Sequence, residues 1–98
     1  MSPRAIRHVI FHGRVQGVGF RAFVEHEALK RGVEGWVRNR RDGSVEALFA
    51  GPEKSVAGIV VACRAGPGHV DAIGQRDGTE GELKLRRTGE LFSVLPTA

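Results

Sequence analysis

Ninety-eight residues with 41% hydrophobic content allow one compact domain with one core, spanning residues 1–98. No apolar run approaches membrane-spanning length and the N-terminus lacks a signal-peptide layout, so a cytoplasmic protein without membrane partners is expected. A single cysteine, Cys63, excludes an internal disulfide, while the net charge of +4 points weakly to an anionic partner: nucleic acid, acidic lipid or a phosphorylated small molecule.

Ala5–His12 is rich in β-branched and aromatic residues and predicts a first strand. Gly13-Arg14-Val15-Gln16-Gly17-Val18-Gly19-Phe20-Arg21 follows, with three glycines within seven residues and then a fixed cation. Glycine lets the backbone turn tightly and approach a ligand, so several amide N–H groups can converge on an anion. A helix starting near Phe20 adds the positive end of its dipole, and Arg21 supplies a guanidinium fork matched to phosphate oxygens. No Lys-Ser or Lys-Thr closes this loop, so it is no Walker A sequence, and the Gly-x-x-x-Gly-x-Gly spacing differs from the dinucleotide fingerprint.

Phe20, Phe23, Val24 and Ala28 fall on one face of the first helix, which Gly32 ends. Gly35–Asn39 and Ser44–Ala50 flank Arg40-Arg41-Asp42-Gly43, a strong hairpin signal. Gly51-Pro52-Glu53 predicts a second helix with proline at its first helical position, and Val56, Ile59, Val60 and Cys63 give it a core-facing stripe that Gly66-Pro67-Gly68 stops. Val70–Gln75 reads as a fourth strand and Leu91–Leu95 as a short fifth. Arg76–Glu90, with Leu83 and Leu85 alternating in its middle, reads as an extended hairpin connection. The order β-α-β-β-α-β predicts an α+β, ferredoxin-like split βαβ fold, an antiparallel sheet with two helices on one face.

The loop from Gly13 to Arg21, followed by Gly35-Trp36-Val37-Arg38-Asn39, Asp42-Gly43-Ser44-Val45 and Gly51, closely resembles the acylphosphatase family. The resemblance implies an enzyme that hydrolyses acyl phosphates to a carboxylate and inorganic phosphate, with no metal or organic cofactor. It maps the phosphate-binding loop onto Val15, Gln16, Gly17, Val18, Gly19 and Phe20, the catalytic arginine onto Arg21 and the water-positioning asparagine onto Asn39. Its partners would be a small-molecule acyl phosphate and inorganic phosphate as product and inhibitor, with the chain acting as a monomer. Phe11 stands where many members carry an aliphatic residue, a conservative change.

The chemistry is consistent with these residues. An acyl phosphate has a carboxylate leaving group of low pKa, so no strong general acid is required. The protein must hold the phosphoryl group, neutralise its charge and aim a water in line. Neutral Asn39 can orient water without repelling a phosphate dianion, which an aspartate would do.

Four histidines, His8, His12, His26 and His69, show no metal-like spacing and are expected in surface or strand roles. Cys63 is expected in the core, Trp36 in core or sheet-face packing beside the site, and Arg38, Arg40 and Arg41 at a solvated hairpin tip. Ferredoxin-like sheets also bind RNA, but here Gly19-Phe20 leads into a helix and not onto a stacking strand, so no nucleic-acid partner is expected. Acylphosphatase-like domains also occur within larger proteins that handle carbamoyl phosphate. The absence of a linker before Ala98 favours a stand-alone enzyme.

Overall fold

Alternation along the strands decides the layering. In the computed structural model, which describes residues 3–98, Val45, Ala47 and Phe49 are buried on one face of their strand, while Leu48 and Ala50 are buried on the other. A strand buried on both sides must be central and covered twice. The chain runs β1 (Arg4–Arg14), α1 (Phe20–Lys30), β2 (Glu34–Asn39), β3 (Val45–Pro52), α2 (Glu53–Arg64), β4 (His69–Asp77), α3 (Glu80–Leu83) and β5 (Phe92–Val94). The five strands form one sheet in the order β4-β1-β3-β2-β5.

The helices α1 and α2 cover one face, where Val24, Ala28, Val56, Ile59 and Cys63 meet Val9, Phe11, Val37 and Phe49 in the main core. Full burial of side chains of this size stabilises by roughly 1.5–3 kcal/mol each. Burial also pushes the Cys63 thiol up to about 12, so it packs as a small apolar residue. On the opposite face Trp36, Leu48, Ala50, Leu83 and Leu95 form a smaller cluster. Short α3 closes that cluster, and the Trp36 indole donates to the Glu82 carbonyl at 2.8 Å.

The α+β, ferredoxin-like expectation holds in its element order, and three features correct it. The sheet is mixed: β2 pairs antiparallel with β3 but parallel with β5, because β5 returns from the far end of the sheet. Arg76–Glu90 is not an extended hairpin connection. Strand β4 continues through Asp77, and Thr79 then caps α3 in a reciprocal capping box with Glu82. Leu83 is therefore buried while Leu85 is exposed, a helical difference where strand alternation was expected. Finally, Pro52 is the N-cap of α2 and the last residue of β3, so Glu53 is the first helical residue.

The far face also changes the reading of Arg38 and Trp36. His8 is buried and its Nε2 lies 2.7 Å from Glu46 Oε2, while Arg38 Nε donates to Glu46 Oε1 at 2.6 Å. Arg38 further stacks over the Trp36 ring, 4.7 Å from its centroid. Arg38 is thus a paired sheet residue and not part of a solvated tip, and Trp36 packs on the face opposite Asn39.

Candidate active site

Both ends of the glycine-rich loop are fixed by burial. Val15 and Phe20 are each 1% exposed, and the Phe20 ring meets Phe11 edge-on with centroids 5.1 Å apart. Between these anchors Gly17 and Gly19 adopt φ of 73° and 80°, a left-handed conformation that a side chain would strain. Gly19 is also the N-cap of α1 and offers no side chain to the helix N-terminus. None of the amides from Gln16 through Ala22 has a backbone acceptor among the described residues; the next, Phe23, donates to Gly19 at 3.1 Å. The first turn of α1 contains no acidic residue. A positive dipole end, free N–H groups and no competing carboxylate together make a seat for an anion.

Gln16 braces that seat. Its Nε2 donates to the carbonyls of Arg40 and Ser44, both at 2.8 Å, tying the loop to the turn between β2 and β3. The same turn is held by Arg40 N donating to Ser44 O at 2.9 Å, and by Asp42 Oδ1 accepting from both the amide and hydroxyl of Ser44. Those hydrogen bonds, the hydroxyl's first, hold the Asp42 carboxyl below the usual range. The turn therefore keeps a fixed distance between the loop and Asn39, the last residue of β2.

Asn39 lies on the helix side of the sheet, two residues beyond buried Val37. Its backbone carbonyl accepts from Ala98 N at 3.0 Å. Its side-chain Oδ1 is buried without a hydrogen-bond partner in the structure, the only such atom among the described residues. Buried acceptors are nearly always satisfied, and an orphan costs about 1–3 kcal/mol. Oδ1 is an unpartnered acceptor on a residue that lines a pocket.

The pocket itself, about 270 Å³, is lined by Gln16, Gly17, Gly19, Arg21 and Asn39, with Val15, Phe20, Ala22, Glu25 and Val94 completing it. The structure thus brings together nearly all the residues expected from sequence. Val18 is the exception, since its side chain packs on the core and it does not line the pocket. Phe20 can offer only backbone, the Val15 amide already donates to the Gly13 carbonyl at 3.1 Å, and Gln16 turns its side chain to the neighbouring turn. Arg21 is half-buried and makes no ion pair among the described residues. Phe20 is sealed in the core, so it offers no base-stacking surface. Sequence reasoning missed the Gln16 brace, for which an amide side chain inside a glycine loop was the one available signal.

The acylphosphatase family model matches residues 7–88. A relative named acylphosphatase from Bradyrhizobium diazoefficiens is 59% identical over 96 residues, which cover 96% of this chain and 97% of that one. The chain belongs to the acylphosphatase family. It is accordingly a hydrolase with acylphosphatase activity. Among solved structures, acylphosphatase from Bacillus subtilis superposes with a TM-score of 0.76 at 39% identity, covering 92% of this chain and 97% of that one. Full-length HypF, crystallised with phosphate and nucleotide, superposes at 0.80 and 25% identity; the match covers 99% of this chain but only 12% of HypF. No helix among the described residues is long and apolar enough to cross a membrane.

Proposed function

We propose that the pocket hydrolyses acyl phosphates with the loop amides and Arg21 as the phosphate site and Asn39 as the water site. The observation that carries this is the orphaned Oδ1 of Asn39, a residue that lines one pocket with Arg21 and with loop residues whose amides, from Gln16 on, have no backbone acceptor among the described residues. The amides of Gly17 to Phe20 and the Arg21 guanidinium receive the phosphoryl oxygens, whose charge the α1 dipole also favours. Asn39 Oδ1 accepts a hydrogen bond from a water and aims one of its lone pairs at phosphorus. A bond forms between that oxygen and phosphorus as the bond from phosphorus to the acyl oxygen breaks. The electron pair leaves on the carboxylate, and the water's protons are shared between phosphate and solvent.

No strong acid or base is needed, because the leaving carboxylate is already a weak base. The catalytic contribution is position and charge neutralisation. The guanidinium supplies the cation at the phosphate, and among the described residues no group of three or more His, Cys, Asp or Glu side chains could hold a metal ion. The reaction is proposed to be metal-independent, and inorganic phosphate to compete with substrate.

The whole chain is proposed to act as a single domain and as a monomer in the cytoplasm. The Cα radius of gyration of 12.1 Å supports the first part, since a single domain of this length is expected near 13 Å. The functional test is release of phosphate from benzoyl phosphate in the presence of a chelator. Sustained turnover is expected. Loss of rate on chelation, restored by a divalent ion, would contradict the metal-independent mechanism.

A further inference from the structure

Three lining residues are used by neither the phosphate site nor the water site: Ala22, Glu25 and Val94. Glu25 follows Arg21 by four residues, so the two share a face of α1. One turn of about 5.4 Å carries Glu25 away from the helix N-terminus. Glu25 is half-buried and its side chain makes no ion pair or hydrogen bond among the described residues. Its neighbour Glu27 behaves differently, turning away from the pocket to accept from Arg31 at 2.6 Å. Beyond the other wall, Arg87 is engaged by the Val94 carbonyl at 2.8 Å and by Glu90 at 3.6 Å. Glu25 is therefore the one carboxylate lining this pocket, and Arg21 the one cation.

In-line displacement fixes the direction of the acyl group. The leaving oxygen departs from the side of phosphorus opposite the attacking water. With the water at Asn39, the acyl group leaves on the side of phosphorus away from Asn39, and the lining residues of α1 that neither site uses are Ala22 and Glu25. We infer that Glu25 sets acyl-group selectivity, disfavouring acyl phosphates whose acyl group carries its own negative charge. This rests on the proposed phosphate and water sites. The phosphoryl charge itself is met by Arg21, the loop amides and the helix dipole. An anionic group on the acyl side meets Glu25 with no lining cation left to balance it. Like charges one to two helical turns apart, in a cleft with partial solvent screening, are expected to cost about 3- to 10-fold in kcat/KM.

The test compares kcat/KM for benzoyl phosphate and succinyl phosphate at fixed ionic strength in wild type, Glu25→Gln and Glu25→Lys. Removing the charge should raise the succinyl-to-benzoyl ratio by about 3- to 10-fold, and reversing it should raise the ratio further. The wild-type preference should also narrow as salt is added. A ratio unchanged in both variants, or an equal change for the two substrates, overturns the assignment and makes Glu25 a structural neighbour of Arg21. Absence of benzoyl phosphate turnover in wild type would overturn the hydrolase mechanism itself, and the selectivity inference with it.

Discussion

Arg38 and Asn39 are consecutive residues of one strand, and the two faces they occupy could hardly be treated more differently. On the far face, Arg38 is bound by Glu46 at 2.6 Å and stacked on Trp36, while His8 closes the other side of the same carboxylate. On the helix face, the buried Asn39 Oδ1 has no partner, Arg21 has no ion pair and the loop amides have no backbone acceptor among the described residues. Both faces contain buried or half-buried polar groups, yet only one leaves them unsatisfied. Stability explains the paired face, since an unpaired buried polar group costs free energy. A ligand would explain the other, since on the proposed mechanism the unpaired groups collect where the anion and the water would arrive.

If that division is real, changes on the two faces should have different readouts. The largest stability effect should come from Trp36→Ala, which removes the anchor of the far-face cluster and its bond to Glu82. A loss of about 3–5 kcal/mol is expected in urea unfolding. The protein that remains folded should keep its affinity for inorganic phosphate. A large fall in phosphate affinity would show that the far face shapes the site directly.

Arg21→Ala should act in the opposite sense, leaving the unfolding midpoint nearly unchanged and costing about 2–4 kcal/mol of transition-state stabilisation. Benzoyl phosphate kinetics and phosphate inhibition measure this. Arg21→Lys should recover only part, because a point charge does not reproduce the fork. Near-normal phosphate affinity in the alanine variant would mean that another group holds the phosphate.

Gln16→Ala sharpens the comparison, because Gln16 belongs to the loop but serves as a brace. Its loss removes two hydrogen bonds, while the Arg40 and Ser44 carbonyls keep backbone donors from Gly43 and Arg40, and at about 0.5–1.5 kcal/mol each this should cost about 1–3 kcal/mol of stability. A fall in kcat larger than the rise in KM would show that the brace positions Asn39 relative to the loop. Equal stability to wild type would remove the brace from the account.

The smallest effect should come from acid. Burial alone would raise the Glu46 carboxyl, but hydrogen bonds from Arg38 and His8 outweigh it and hold it below the ordinary value of 4.5. The Arg76 guanidinium, against some burial and with help from the Thr79 amide, lowers Glu82 to about 2. Groups with lowered folded values stabilise fully above their unfolded value and lose that contribution as pH falls through the folded one. The urea midpoint should therefore decline as pH falls from 4.5 toward 2. Glu82 is partly exposed and its partner Arg76 is exposed, so solvent screening keeps its share small, and Glu46→Gln should flatten the decline more. An equally steep decline in Glu46→Gln would place the acid sensitivity elsewhere.

The features of the candidate site were legible in sequence to the extent that their signals are local. Two glycines that need positive φ, a helix beginning at once and a cation in its first turn all lie within six residues, Gly17 to Ala22. The stripe of Val56, Ile59, Val60 and Cys63 similarly betrays its helix. The parallel β2–β5 pairing was not legible, because a pairing between Val37 and Val94 depends on how the whole chain returns and no turn residue encodes it. Thr79 and Glu82 did carry a capping-box pattern, but a helix of four residues containing Gly81 leaves almost no periodicity to read. Arg38 looked like one of three clustered arginines until the sheet placed Glu46 opposite it. The orphaned Oδ1 of Asn39 is visible only once every neighbour has been placed.

Asn39→Ala tests the central claim most directly, since its carboxamide is assigned to the water and not to the phosphate. In that role it should contribute to the transition state far more than to the ground-state complex. Steady-state kinetics with benzoyl phosphate should show kcat lower by about 10²-fold or more, with the inhibition constant for inorganic phosphate within about twofold of wild type. Retained kcat with a lowered unfolding midpoint would instead make Asn39 a structural end to β2, and parallel loss of phosphate affinity and kcat would make it part of the phosphate site.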